Sequence, residues 1–182
     1  AKYKDLIYDN LIDVKDDGSF KMDMSYFDYN VGLTMTNKKF NNLFGGPPRQ
    51  PESELTQKEM DLARSIQEVT EEIVMKMAKH VREVTKQKYL CLAGGVALNC
   101  VANGKLLRSK IFDDIFIQPA AGDAGGALGC AYIAWYQHLD NKRIADGKTD
   151  SMNGAYLGPE FSNDEIKRYL DENGYESKKL SD

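Results

Sequence analysis

Residues 89–136 read YLCLAGGVALNCVANGKLLRSKIFDDIFIQPAAGDAGGALGCAYIAWY and decide the fold of this chain. Two glycine-rich turns stand in this stretch, at residues 93–95 and 121–126, and each follows a short apolar run. Each turn opens into a segment of helical character, so the predicted order is strand, turn and helix, repeated once. Short strands joined by helices predict an α/β fold with a mixed sheet, whose ligands bind at the carboxyl ends of the strands.

Glycine-rich turns in front of helices are suited to binding phosphate. Glycine lacks the Cβ atom that would keep a ligand away from the backbone. A helix start adds unpaired N–H groups and about half a positive charge. We therefore predict two walls of a phosphate site, formed by Gly94 and Gly95 on one side and Gly122 on the other. Asn99, just after the first turn, is a candidate donor to ribose or phosphate.

Asp123 and the turns also have simpler explanations. The Asp123 carboxylate lies among small residues and suits a metal ion, but aspartate also favours the N-cap of a helix, here one starting at Ala124. Tight packing of strand on helix would account for a single Gly-Gly pair. Neither the G-x-G-x-x-G fingerprint nor the P-loop pattern is present. The two turns together, with Asn99 and Asp123 at fixed positions, are more specific than either alone.

The remaining elements follow from turn residues and apolar spacing. Residues 11–24 predict a hairpin around a turn at 16–19. Glycine and proline exclude regular structure from residues 36–54. Apolar residues at spacings of three and four predict a long helix over residues 56–84. In the two-turn unit, strands are expected at 89–92 and 115–117 and helices at 96–109 and 124–139.

Composition sets limits on the class of protein. The chain has 182 residues, is 42% hydrophobic and carries a net charge of −4, which is typical of a globular domain. The absence of a basic block argues against a nucleic-acid partner. No apolar run approaches the roughly 20 residues of a membrane span. We expect a cytoplasmic protein whose three cysteines, Cys91, Cys100 and Cys130, are buried free thiols. Both histidines, His80 and His138, are expected on the surface.

Four motifs together resemble one family. They are CLAGGVALNC at residues 91–100, QPAAGDAGGALG at 118–129, FGGPPRQPES at 44–53 and YLGPEF at 156–161. Each resembles a motif of the O-carbamoyltransferases, which include nodulation-factor and antibiotic carbamoyltransferases. The motifs agree in order and spacing and extend over nearly the whole chain.

The resemblance implies a fold and an activity. Members carry an N-terminal domain of the actin/hexokinase/Hsp70 ATPase type. A YrdC-like C-terminal domain makes carbamoyladenylate from carbamoyl phosphate and ATP, and the first domain moves the carbamoyl group to a substrate hydroxyl with the help of bound iron. The resemblance maps Gly94, Gly95 and Asn99 onto the turn that lines the nucleotide, and Asp123 onto a metal ligand.

One departure from the family concerns the iron site. The family takes two iron ligands from an H-x-x-x-H motif, and His80 and His138 do not form such a pair. We therefore expect residues 1–150 to be the second half of the transferase domain, with the N-terminal half outside this sequence. Residues 151–182, with a helix at 163–173, are then the linker and the start of the YrdC-like domain.

Several functional questions stay open at the level of sequence. No residue is a convincing general base, and the acceptor is not indicated. Arg49, in the Gly-Pro-rich loop, either reaches an anion or is a solvated surface residue. A sugar or acid kinase of the same superfamily would also place a Gly-Gly turn against a nucleotide, but it would transfer phosphate without carbamoyl phosphate. A noncatalytic nucleotide-binding or assembly module is the third possibility.

Overall fold

The structure is a computed structural model that describes residues 1–148, 150 and 152–180. It divides into two compact units, residues 1–132 and a second unit from residue 133 onward. The domain boundary placed at residue 150 from the sequence stays a prediction.

The first unit is a mixed α/β structure built around one long helix. Its elements are α1 (Lys4–Asn10), β1 (Ile12–Val14), β2 (Phe20–Met22), a 3₁₀ turn (Met24–Tyr26), α2 (Lys38–Leu43), α3 (Gln57–Thr85), β3 (Tyr89–Leu92), a 3₁₀ turn (Gly95–Leu98), α4 (Cys100–Ser109), β4 (Asp114–Ile117) and α5 (Gly125–Tyr132). The second unit contains π-helical turns at Ile133–His138, a 3₁₀ turn at Asn153–Ala155 and α6 (Asn163–Glu172).

The described strands form two small sheets instead of the single mixed sheet that was predicted. Strands β1 and β2 form the predicted antiparallel hairpin, and β3 pairs with β4 in parallel, with Leu90 opposite Ile115. The 29-residue helix α3 lies between the two pairs in the chain. Each pair belongs to a different core along that helix, which explains why the strands do not join.

Helix α3 has strong signals at both ends. At its start, Thr56 and Glu59 form a capping box, in which the Glu59 carboxylate accepts from the Thr56 N–H at 2.9 Å. At its end, Lys86 adopts a left-handed conformation and its N–H donates to the Arg82 carbonyl at 3.0 Å. These caps set the bounds of the helix predicted over residues 56–84 and hold about 43 Å of helix in place.

Two hydrophobic cores meet on α3. The first core consists of buried residues from the N-terminal elements and α3, namely Ile7, Leu11, Tyr26, Phe44, Val69 and Ile73. The second consists of Ala78, Leu106 and Phe112, with Leu90 and Ile115 of the parallel strands packed against it. Burying a large apolar side chain contributes about 1.5–3 kcal/mol. Because α4 and the parallel strands share a core with α3, the long helix fixes the position of the first glycine turn.

The three cysteines are exposed, so the prediction of buried thiols was wrong. In the parallel pair, Leu90 and Leu92 face the second core while Cys91 lies on the opposite face, beside a 58% exposed Phe116. Successive side chains of a strand point to opposite faces of the sheet, so only every second side chain is buried when a single layer packs on the sheet. His80 and His138 are exposed, as predicted.

The helix predicted over residues 124–139 changes its hydrogen bonding along its length. It is α-helical over Gly125–Tyr132 and π-helical over Ile133–His138. The Leu139 N–H donates at 3.0 Å to the Ala134 carbonyl, five residues earlier. No helix in the described part of the chain is long and apolar enough to cross a membrane.

Candidate nucleotide site at the glycine turns

The two glycine turns are neighbours. The Gly94 N–H donates to the Ala121 carbonyl at 2.8 Å, and the Gln118 N–H donates to the Leu92 carbonyl at 3.2 Å. The parallel pairing of β3 and β4 brings their carboxyl ends to one edge, and these two hydrogen bonds extend the pairing into the turns. The predicted juxtaposition of the turns is therefore confirmed.

The glycines in the turns have different structural roles. Gly94 has φ of +95°, a conformation that other residues rarely adopt. A Cβ atom on Gly125 would lie 2.0 Å from the Ala120 carbonyl oxygen, so backbone packing requires glycine there. A Cβ atom on Gly95 or Gly122 would meet nothing within 4 Å. Packing within the described chain therefore does not explain these two glycines, and the space beside them is open.

Asn99 is the N-cap of α4. The helix predicted over residues 96–109 would instead have placed Asn99 inside its first helical turn. Residues Gly95–Leu98 form a separate 3₁₀ turn, and α4 begins at Cys100. The Asn99 Oδ1 atom accepts from the Ala102 N–H at 3.1 Å. This cap satisfies one of the unpaired N–H groups at the start of α4.

A polar network behind the first turn was not predicted. Gln67 and Asn99 exchange two hydrogen bonds, from Gln67 Nε2 to Asn99 Oδ1 at 3.1 Å and from Asn99 Nδ2 to Gln67 Oε1 at 3.0 Å. Gln67 Nε2 also donates to Glu71 Oε1 at 2.9 Å, and Lys105 forms an ion pair with Glu71. The network therefore runs from α4 to α3 and back to the cap of α4.

Glu71 is the charged centre of this network. It is only 3% exposed. Hydrogen bonds from Lys105 and then from Gln67 hold the pKa of the Glu71 carboxyl below its ordinary value. A buried carboxylate requires such partners, because losing water without compensation is costly. The only signal in the sequence is the four-residue spacing of Gln67 and Glu71, which places both on one face of a helix.

Asp123 does not form a metal site by itself. Its side chain is exposed, and α5 begins at Gly125, so the N-cap position falls on Ala124 and the cap hypothesis fails. Among the described residues, no group of three or more histidines, cysteines, aspartates or glutamates could hold a metal ion. The residues present do not fit a complete iron site, because Asp123 offers a single carboxylate.

Two further polar side chains are Arg49, in the Gly-Pro-rich loop, and Gln118, just after β4. The Arg49 guanidinium donates to the Ser53 carbonyl, so it braces its own loop. The Gln118 Oε1 atom is buried and has no hydrogen-bond partner in the described chain. A buried acceptor without a donor costs about 1–3 kcal/mol. Gln118 therefore carries an unsatisfied acceptor in the segment that leads to the second turn.

Comparisons with known proteins identify the family. Residues 1–132 match the model of the carbamoyltransferase N-terminus. An uncharacterized protein of Synechocystis is 60% identical over 93% of this chain and 27% of its own length. Nodulation protein NolNO of Sinorhizobium fredii is 47% identical over 60% of the chain and 15% of its own length. Nodulation protein NolO of Bradyrhizobium diazoefficiens is 44% identical over 60% of the chain and 19% of its own length.

The chain belongs to the carbamoyltransferase family, through that family's N-terminal region. It spans about a quarter or less of the length of these three relatives.

Proposed function

We propose that this chain is part of an O-carbamoyltransferase that moves a carbamoyl group from carbamoyladenylate to the hydroxyl of a small molecule. The observation that carries the proposal is the pair of hydrogen-bonded glycine turns, with open space beside Gly95 and Gly122, in a member of the carbamoyltransferase family. The domain is then half of an actin/hexokinase/Hsp70-like ATPase-type domain, acting in the cytoplasm.

In this proposal the chain binds the adenylate part of the donor. Backbone N–H groups at the two turns hold the phosphate without a charged side chain. The second N–H of the Asn99 amide, which the network leaves free, donates to phosphate or ribose. The acceptor hydroxyl attacks the carbamoyl carbon, the bond from that carbon to the phosphate oxygen breaks, and AMP leaves. A base takes the hydroxyl proton, and no residue of this chain is assigned to that role.

The other components are proposed on family membership alone. ATP and carbamoyl phosphate supply the carbamoyladenylate, which a YrdC-like domain makes. Fe²⁺ would act as a Lewis acid, with Asp123 as one ligand and the others in the remaining half of the transferase domain. No step is assigned to iron, because the residues of this chain do not fit a complete site.

The test uses the full-length protein with ATP and ¹⁴C-labelled carbamoyl phosphate. We expect AMP and pyrophosphate to form only when both substrates are present, and label to move to a hydroxyl compound from a panel of sugars and alcohols. Release of ADP without carbamoyl phosphate would instead identify a kinase. If neither AMP nor ADP forms, the chain is part of a noncatalytic module, which is a nucleotide-binding module if ATP binds and an assembly module if it does not.

A further inference from the structure

We propose that Glu71 is a positioning residue, which acts through Gln67 to fix the orientation of the Asn99 amide at the nucleotide site. This inference rests on the proposed function, because it assigns Asn99 to the adenylate. Its own basis is the polar network of Asn99, Gln67, Glu71 and Lys105, which links α3 to the first glycine turn.

The first step concerns which end of each amide faces its neighbour. An ionised carboxylate only accepts hydrogen bonds. Gln67 must therefore turn its NH₂ group toward Glu71, as the 2.9 Å contact shows. The second N–H of the same group donates to Asn99 Oδ1, which leaves Gln67 Oε1 to accept from Asn99 Nδ2. The charge on Glu71 thus selects the orientation of Gln67, and Gln67 in turn reinforces the Asn99 orientation that the Ala102 N–H also favours.

The second step concerns what Asn99 has left to offer. Its Oδ1 atom accepts twice, from Gln67 and from the Ala102 N–H, and its Nδ2 atom donates once to Gln67. One N–H of Asn99 remains. If the amide were reversed, the oxygen would leave the Ala102 N–H and the remaining group would lose its fixed direction.

The third step explains why the network is rigid. Glu71 is almost fully buried, and Lys105, which is half exposed, neutralises its charge from α4. Gln67 uses both N–H groups and its oxygen inside the network. A fully satisfied polar network has a unique arrangement, whereas a partly satisfied one does not.

Glu71→Gln removes this selection while keeping the size of the side chain. A neutral amide at position 71 both donates and accepts, so Gln67 is no longer forced to present its NH₂ group, and it no longer reinforces the Asn99 orientation that the Ala102 N–H favours. Glu72→Gln is the matched control. Glu72 also lies on α3 and also pairs with a lysine, Lys4, but it is exposed and outside the network. Val69→Ala is the control for loss of helix packing, because Val69 is 1% exposed in the first core.

The experiment titrates the full-length protein and these variants with AMP, which carries the adenosine and phosphate of carbamoyladenylate. The readout is slowed hydrogen exchange in peptides spanning residues 94–99, which reports binding at this turn separately from any other nucleotide site. We expect Glu71→Gln to weaken binding at least about tenfold, and both controls to stay within about threefold of the parent.

Each other result has a defined meaning. Unchanged binding in Glu71→Gln, or equal losses in Val69→Ala, would overturn the positioning role. If AMP fails to slow exchange in the parent itself, the proposed function fails at this turn, and the inference falls with it. The two failures are therefore distinguishable from the parent titration alone.

Discussion

At the scale of single residues, Asn99 combines two roles that one substitution separates. In Asn99→Asp, a carboxylate oxygen still caps the Ala102 N–H, but the N–H donors are lost. We expect normal folding and binding of AMP weakened by at least about tenfold, since a lost hydrogen bond to a ligand costs about 1–3 kcal/mol. Asn99→Ala should lose the cap as well and lower the melting temperature. Equal AMP affinity in parent and Asn99→Asp would restrict Asn99 to its capping role.

Gly95 gives a second prediction at this scale. Because a Cβ atom there meets nothing within 4 Å, the Gly95→Val variant is expected to fold. The added side chain occupies the space assigned to phosphate, so AMP should bind at least about tenfold more weakly. Calorimetric melting checks that the variant folds, and hydrogen exchange at residues 94–99 measures its binding of AMP. Gly125→Ala is the contrasting control, because its Cβ atom would clash with the Ala120 carbonyl and reduce stability.

At the scale of elements, the prediction that residues 36–54 lack regular structure was wrong in part, because they contain α2. Periodicity and turn residues predicted the hairpin, α3, the parallel strands and α4 to within a few residues. These features are local, because glycine, proline and apolar spacing act within one turn or strand. The burial of Glu71 and the exposure of Cys91 were not predictable in this way. Both depend on which neighbouring element packs against that face of the helix or strand. The polarity of the residue itself does not indicate which face is covered.

The residues of the candidate site also fall into two groups, those that local sequence predicts and those that depend on the packing of helices. Gly94, Gly95 and Gly122 could be proposed from the sequence, because glycines just after an apolar strand mark a turn. Gln67 and Lys105 could not, because 32 residues separate Gln67 from Asn99 and their meeting depends on the packing of α3 against α4. The single stretch that predicted the turns contains no information about the helix behind them.

Helix α3 should also make the protein sensitive to acid. Hydrogen bonds from Lys105 lower the pKa of Glu71, and hydrogen bonds from Lys4 lower the pKa of Glu72. A carboxyl group whose pKa is lower in the folded state stabilises the fold. This contribution is fully present above the pKa of the unfolded chain, which is 4.5 for glutamate. That stability is lost as the pH falls from there through the lower folded value, because the unfolded chain then binds more protons.

The measurement is the melting temperature of the full-length protein between about pH 6 and about pH 3.5. We expect the parent to lose stability on acidification more steeply than Glu71→Gln, which lacks one of the titrating groups. Parallel curves for the two proteins would mean that Glu71 has the same pKa in the folded and unfolded states.

At the scale of the whole molecule, the proposed iron site depends on residues beyond this chain. Asp123 provides one carboxylate at the edge of the second turn, and the described residues contain no group that would complete a metal site. One monodentate oxygen holds a transition metal weakly. This chain alone is therefore expected to bind little or no iron and to show no carbamoyl transfer.

In the full-length protein, Asp123→Ala should remove most of the iron and most of the transferase activity. Its effect on stability should stay within about 0.5 kcal/mol, because the side chain is exposed and does not cap α5. The matched control is Asp113→Ala, an exposed aspartate just before the opposite end of β4. Iron content and transfer of labelled carbamoyl are measured for both variants beside the parent. Full iron occupancy with normal turnover in Asp123→Ala would exclude this carboxylate as a ligand, whereas equal losses in both variants would indicate a general effect on the strand.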